Sequence, residues 1–262
     1  MHFRDDKFLI SCAARSGSTM LCTLIGSHPQ ALCHHEVFAR DGSVPVFGIY
    51  ARKRKASTEF DNALKHYRDR EPERFLHDIV FDAQGRRCVG FKLKTDEVFR
   101  PDYQPVRDLV AADTDIKIIH LVRHNLIDQF VSHRVVEQTG VHFLRPADER
   151  PKVQPFNVDI ARFKAFAADV GKRQQAAYDL YGRHRNFTIA YEDLVAPAST
   201  ALDDLQAFLE IDNRPLSANT IKILKNNRAL VLNLDEIEAA WAEMGQGAPG
   251  NQPAAHGSSN VG

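Results

Sequence analysis

The sequence predicts an α/β fold in which helices flank a mainly parallel central sheet. Two observations carry this prediction: apolar segments with strand-like patterns recur along the 262 residues, and helical segments separate them. The predicted strands lie at residues 8–10, 88–94, 116–122 and 187–191. Strands separated by helices are joined by crossover connections, which place them side by side in parallel.

The helical segments are recognised by apolar residues at helical spacing and by proline or glycine at their ends. They cover residues 20–27, 59–70, 73–80, 126–137, 160–183, 201–210, 218–225 and 234–244. Residues 245–262 hold Gly, Pro, Ala, Ser and Asn with almost nothing to bury, which predicts a disordered tail. A single domain is therefore expected over residues 1–244.

The composition excludes several functional classes. Lys plus Arg equals Asp plus Glu at 34 each, so no net charge attracts nucleic acid or an anionic membrane. The four cysteines show no C-x-x-C spacing, and Cys33-His34-His35 has no second ligand cluster, so no metal is predicted. The charged amino end is no signal peptide, and no apolar run approaches ~20 residues, so no membrane segment is expected and a cytoplasmic location is the default.

The segment after the first predicted strand has the composition of a phosphate-binding loop. It reads Arg15-Ser16-Gly17-Ser18-Thr19 and leads directly into a helix. Backbone N–H groups of such a turn, with the positive end of the helix, favour an anion, and the Arg and hydroxyl side chains add donors. It is no ordinary Walker A loop, because Ser18 stands where the lysine belongs. The alternative is a polar turn that only caps the helix.

A second candidate anion-binding group lies at the end of the strand at residues 116–122. Arg123 follows that strand, and Ser132 lies about two turns into the next helix. Ligands of such sheets bind beyond the carboxyl ends of the strands, where both groups are expected. Two anion-binding groups on one edge favour a nucleotide phosphorylated at two places. The alternative is a surface Arg and a Ser bonded to its own helix.

Together these motifs resemble the sulfotransferases that use 3′-phosphoadenosine 5′-phosphosulfate (PAPS), most closely the bacterial carbohydrate and glycolipid type that includes nodulation-factor sulfotransferases. The resemblance implies a P-loop-NTPase-like three-layer fold. It also implies roles for single residues: the loop from Arg15 through Ser16, Gly17, Ser18 and Thr19 to Met20 would bind the phosphosulfate, Arg123 and Ser132 the ribose phosphate, and Tyr191 the adenine. Ser132 follows Arg123 by nine residues rather than the common eight, which leaves His124 as an alternative to Arg123.

The activity implied is transfer of a sulfuryl group from PAPS to a hydroxyl or amine, without a metal. Arg15 and Lys92 are expected to stabilise negative charge on the donor. Glu36 matches the position of a proposed base in related bacterial enzymes, and an apolar pocket is expected to raise its pKa. His35 and His34 are alternative bases.

The acceptor is expected to be a small molecule or glycan, chosen by inserted segments at residues 40–87 and 139–157. Four aromatic residues there are candidate sugar contacts or core residues: Phe47, Tyr50, Tyr67 and Phe143. The oligomeric state is unknown from sequence. Two alternatives stay open: a nucleotide kinase-like phosphotransferase, and a module that binds an adenosine bisphosphate without catalysis.

Overall fold

Five parallel strands form the central sheet of the computed structural model, which describes residues 6–39, 44–196, 199–223, 226 and 228–247. The strands are β1 Asp6–Cys12, β2 Ala31–Cys33, β3 Cys88–Lys94, β4 Lys117–Val122 and β5 Asn186–Ala190. Their order in the sheet is β2-β3-β1-β4-β5, and every neighbouring pair is parallel. The predicted parallel α/β fold is confirmed. The three-residue β2 lies outside the predicted strands and helices.

Helices connect the strands and cover the sheet. Those in the first half are α1 Ser18–Gly26, α2 Ile49–Ala56, α3 Thr58–Arg70, α4 Pro72–Phe75, α5 Thr95–Val98 and α6 Gln104–Ala112. Those in the second half are α7 Leu126–Thr139, α8 Ile160–Leu180, α9 Tyr191–Val195, α10 Ala201–Phe208 and α11 Leu234–Gly247. A π-helical turn at Leu76–Val80 follows α4, and 3₁₀ turns lie at Pro101–Tyr103 and Arg228–Leu230. In the described part of the chain, no helix is both long and apolar enough to cross a membrane.

Alternate residues of the central strand β1 enter two different cores. Phe8 and Ile10 pack in one cluster with residues of α1 and α10. Leu9, on the opposite face, packs in a second cluster with residues of α3 and α6. This alternation follows from the two-residue repeat of a strand, and it explains why the strand is apolar throughout: both faces are covered by helices. The three layers are thus helices, sheet and helices.

The segment at residues 218–225 is not the helix that its apolar spacing predicted. Its described part, residues 218–223, is irregular, and Ile221 forms an isolated antiparallel bridge with Leu144. Ile223 packs with Leu144 and with Val135 of α7, so tertiary contacts decide the conformation of this segment. The predicted helix was therefore wrong there. Residues 224 and 225 lie outside the described residues.

Two further segments named from the sequence are an inserted segment and the tail. The inserted segment at 139–157 is irregular after α7 ends at Thr139, and Arg150 donates to the carbonyl oxygens of Lys222 and Ile223 at 2.6 and 3.0 Å. The tail was expected from residue 245, but α11 continues to Gly247. The rest of that tail, and residues 40–43 of the first inserted segment, lie outside the described residues.

Candidate active site

The carboxyl ends of all five strands contribute polar residues to one edge of the sheet. The loop at residues 13–17 joins β1 to α1, and Glu36 lies three residues after β2. Lys92 lies on β3, Arg123 directly after β4, and Tyr191 directly after β5. Because parallel strands end at the same edge, residues that are far apart in sequence meet there.

The loop between β1 and α1 has a tight backbone that only some of its residues tolerate. Arg15 and Gly17 have positive φ angles of 61° and 91°. A side chain at position 17 would place its Cβ 2.4 Å from Cδ2 of Tyr191, so glycine allows the tyrosine ring to lie against the loop. The hydroxyl of Ser16 is buried and donates to the Ala13 carbonyl oxygen at 2.7 Å. The hydroxyl therefore supports the loop, and Ser16 is not among the described lining residues of the cleft; its part in binding the phosphosulfate stays a prediction.

Both predicted anion-binding groups open into one cleft of about 1090 Å³, measured with its open mouth. The Arg15 Nε donates to Ser132 Oγ at 3.0 Å, and its Nη1 donates to the His142 carbonyl oxygen at 2.6 Å. Arg123 Nη1 donates to the Arg15 carbonyl oxygen at 3.0 Å. The cleft lining includes Gly17, Ser18, Thr19, Met20 and Tyr191 as well.

Arg123, and not His124, faces this cleft. The Arg123 side chain is 9% exposed, and its guanidinium carbon lies 4.5 Å from the centroid of the Tyr191 ring. Its Nε has no hydrogen-bond partner among the residues that the structure describes. His124 is exposed, and its backbone N–H donates to Glu192 at 3.3 Å. The structure thus brings Arg123 together with Ser132.

The cleft carries more positive than negative side chains. Arg15, Arg123, Lys222 and Arg228 line it, and Asp128 is the acidic residue among its described lining residues. Asp128 accepts from Arg228 at 3.3 Å and lies 3.9 Å from Arg123. Burial, and then the charge of Arg123, lower the pKa of Arg15. Two partly buried guanidinium groups that disfavour each other's charge are stabilised by a bound anion.

Glu36 lies between two lysines, 3.4 Å from Lys92 and 3.7 Å from Lys94. Burial alone raises the pKa of Glu36, but the two ammonium groups outweigh it and hold the pKa below the ordinary 4.5. The expectation of an apolar pocket with a raised pKa was therefore wrong. Burial, and then the charge of Lys92, lower the pKa of His35 to about 4, so its imidazole is neutral at pH 7. Both groups are unprotonated at that pH and able to accept a proton.

Lys92 connects the candidate base to the loop. Its Nζ donates to Ser18 Oγ at 3.3 Å and to Thr19 Oγ1 at 3.1 Å, while it pairs with Glu36. The side chain is only 3% exposed, so it is no lysine extending from a strand edge into water. Its ammonium group therefore lies beside Ser18, the residue at the position where a Walker A loop carries its lysine.

Comparison with known proteins identifies the fold family. The sequence model that describes the sulfotransferase family matches residues 8–215 of this chain. The chain belongs to this family. It is therefore a sulfotransferase, an enzyme of the class that takes its sulfuryl group from PAPS. A comparison with curated proteins gave no match.

Three solved sulfotransferase structures align with this sulfotransferase, and the first of them shares its fold. The sulfotransferase domain from the curacin biosynthetic pathway aligns with a TM-score of 0.50 at 17% identity, over 81% of this chain and 76% of that one. A sulfotransferase from Alicyclobacillus acidocaldarius aligns with a TM-score of 0.46 at 18% identity, over 92% of each chain. Mouse sulfotransferase SULT7A1 complexed with PAP aligns with a TM-score of 0.41 at 17% identity, over 94% of this chain and 67% of that one.

Sequence reasoning missed several cleft residues of the sulfotransferase. Lys222 lies 5.8 Å from the Tyr191 ring centroid, and Arg228 pairs with Asp128 and Glu238. Lys222 was assigned to a helix, and no local motif marks Arg228. The sequence does give a signal for Asp128 as a cleft residue, because Asp128 lies in the first turn of the helix that follows Arg123. No three metal-ligating side chains come together among the described residues.

Proposed function

We propose that this sulfotransferase transfers the sulfuryl group of PAPS to a hydroxyl or amine of a small acceptor. The favoured acceptor is a carbohydrate or glycolipid, as in the bacterial enzymes that its motifs resemble. The supporting observation is the single cleft into which the β1–α1 loop, Arg123 and Ser132 all open. One bisphosphorylated nucleotide has charged groups at two ends, and this cleft offers donors at two places.

In this proposal the two ends of the nucleotide bind to different elements. Arg123 and Ser132 hold the 3′-phosphate, and the loop N–H groups with the hydroxyls of Ser18 and Thr19 hold the phosphosulfate. Arg15 lies between the two places, because its guanidinium already contacts Ser132 while its backbone belongs to the loop. The adenine has the apolar lining near Tyr191 available for contact.

The transfer step forms a bond between the acceptor oxygen and sulfur, and it breaks the bond between sulfur and the bridging phosphate oxygen. The acceptor proton moves to Glu36, and 3′-phosphoadenosine 5′-phosphate (PAP) leaves. Lys92 contacts Glu36, Ser18 and Thr19 at once, so it holds the base near the loop that receives the donor. Its charge, with that of Arg15, stabilises the negative oxygens of the transition state, and the fixed geometry supplies alignment.

The test combines binding and transfer. Thermal unfolding with PAP, ATP or ADP shows which nucleotide the folded protein binds, because a ligand of the folded state raises the unfolding temperature. We expect PAP to stabilise most, and we expect Glu36→Gln to keep that stabilisation but lose most transfer from ³⁵S-labelled PAPS. Unchanged turnover in Glu36→Gln would remove Glu36 from the role of base, and His35→Gln is then the variant to measure.

The two alternative functions give different results in the same experiment. ATP turnover that requires magnesium would indicate a kinase-like phosphotransferase. PAP binding with no transfer to any acceptor would indicate a module that binds the nucleotide without catalysis.

A further inference from the structure

Three of the four aromatic residues in the inserted segments make contacts in the structure that account for them without an acceptor. Tyr50 donates its hydroxyl to Asp82 at 2.7 Å. Tyr67 packs edge-on against Phe75 with a centroid distance of 6.0 Å. Phe143 lines the nucleotide cleft. Phe47 differs, because it is 40% exposed and lies outside the described lining of that cleft.

The backbone around Phe47 is fixed by two side chains, although its ring is exposed. The Phe47 N–H donates to Nδ1 of His34 at 2.9 Å, and its carbonyl oxygen accepts from Nε2 of Gln84 at 3.5 Å. Oε1 of the same Gln84 accepts from the Ile49 N–H at 2.8 Å. His34 is fully buried, and burial lowers its pKa to about 4, so Nδ1 remains an acceptor at neutral pH.

Gly48 makes this arrangement possible. Its φ of +70° is left-handed, and a Cβ at this position would lie 2.0 Å from Oε1 of Gln84. Only glycine lets the Gln84 side chain reach the backbone on both sides of residue 48. An exposed phenylalanine alone needs no explanation. An exposed ring on a backbone anchored by a buried histidine and a glycine-dependent glutamine is a rigid surface.

This ring packs beside the residue that precedes the candidate base. The centroids of Phe47 and His35 are 5.1 Å apart, and His35 is the neighbour of Glu36 in the chain. Glu36 is linked through Lys92 to Ser18 and Thr19 of the loop. The charges of Lys92 and Glu36 both act on His35, so Phe47 packs against a residue within electrostatic range of the candidate base.

We propose that Phe47 is a specificity-determining residue that contacts the flat apolar face of a ring next to the reacting hydroxyl of the acceptor. This inference rests on the proposed function, because it takes Glu36 as the base. An aromatic face packs well against another ring and poorly against a flexible chain, which must also lose conformational freedom. The chemistry is shared by sugar rings and by aryl alcohols. Glu36 and Lys94, which lie 3.7 Å apart, offer partners for further hydroxyls of the acceptor and favour the sugar ring.

The experiment measures transfer from ³⁵S-labelled PAPS to three probes: methyl β-D-glucopyranoside, 2-naphthol and sorbitol. Sorbitol is the matched probe, because it carries hydroxyls without a ring face. We expect the glucoside to be a better acceptor than sorbitol.

Phe47→Ala should raise the glucoside KM at least about tenfold, which is the effect of a lost contact of ~1.4 kcal/mol. The kcat and the PAP-dependent thermal shift should change less than about twofold, and Phe47→Tyr should retain the wild-type KM. A larger effect on 2-naphthol than on the glucoside would identify an aryl acceptor as the source of the ring.

The control is Leu232→Ala, which removes an apolar side chain that is 66% exposed and outside the described cleft lining. An unchanged KM for both ring probes in Phe47→Ala would overturn the role of Phe47. Equal use of sorbitol and glucoside, or PAP binding with no transfer to either ring probe, would overturn the ring preference. Absence of PAP binding in the wild type would overturn the proposed function itself, so the two failures are distinguishable.

Discussion

Replacing Arg123 by alanine tests how the cleft recognises the donor. The Arg123 side chain is 9% exposed. Its guanidinium donates once to the loop carbonyl of Arg15 at 3.0 Å, and its Nε has no partner among the described residues. A phosphate bound there receives hydrogen bonds from a cation that is already largely removed from water. Each such charge-assisted bond contributes about 1.5–3 kcal/mol, so a total loss of about 2–3 kcal/mol is expected.

That loss corresponds to PAP binding that is roughly 30- to 160-fold weaker. AMP, which has the 5′-phosphate but no 3′-phosphate, should bind Arg123→Ala with less than about threefold change, since the proposed contact is absent from it. Calorimetric titration of wild type and variant with both nucleotides measures the four affinities. Arg173→Ala is the control, because Arg173 is a partly exposed residue of α8 paired with Asp169 at 2.9 Å and lies outside the described cleft lining. Its affinities should equal those of the wild type.

An equal loss for PAP and AMP would refute the reasoning. In that case Arg123 would act by supporting the loop through Arg15, and not by binding the 3′-phosphate. Thermal unfolding of each variant without nucleotide separates this effect from a general loss of stability, because Arg123 also stacks on Tyr191.

The remaining predictions concern the base and the loop. The pKa of Glu36 lies below 4.5 and that of His35 near 4, so kcat/KM should stay flat from pH 8 to about 5.5 and fall only at lower pH, giving an acid limb there. A fall in kcat/KM centred near pH 6.5 would indicate an unperturbed histidine as the base instead. Lys92→Met should lower kcat by about 100-fold and, because it removes the ammonium that favours the carboxylate, move the acid limb to higher pH; a limb that stays in place would contradict the Lys92–Glu36 pairing. Gly17→Ala should lower the free energy of unfolding by about 1–3 kcal/mol in urea denaturation, since the new Cβ meets Tyr191 and φ is +91°. In a Tyr191→Ala background the same Gly17→Ala change should cost less, and an equal cost in both backgrounds would show that the clash is not its cause.

The sequence predicted the fold well because its periodic segments are long and carry a consistent pattern. β1, β3 and β4 are buried on both faces, and their apolar runs predict strands. The three-residue β2 is too short for any periodicity. The error at residues 218–223 has another cause: apolar residues at helical spacing are also what a packed irregular segment needs, and the contact of Ile221 with Leu144 is not visible in local sequence.

For the site, sequence identified residue types and could not identify environments. The loop, Arg123 and Ser132 follow from position at strand ends, which is a rule of the fold. The lowered pKa of Glu36 depends on Lys92 and Lys94 from a different strand, and their side chains reach it only through three-dimensional packing. The same limit applies to Phe47, whose exposure and anchoring by Gln84 involve a contact across 37 residues.

A crystal structure of the protein with PAP tests the central claim most directly, since that claim concerns which residues hold each end of one nucleotide. We predict the 3′-phosphate within hydrogen-bond distance of Arg123 and Ser132, and the 5′-phosphate against the backbone N–H groups that begin α1. A nucleotide bound the other way round, or outside the cleft between these two elements, would contradict the account.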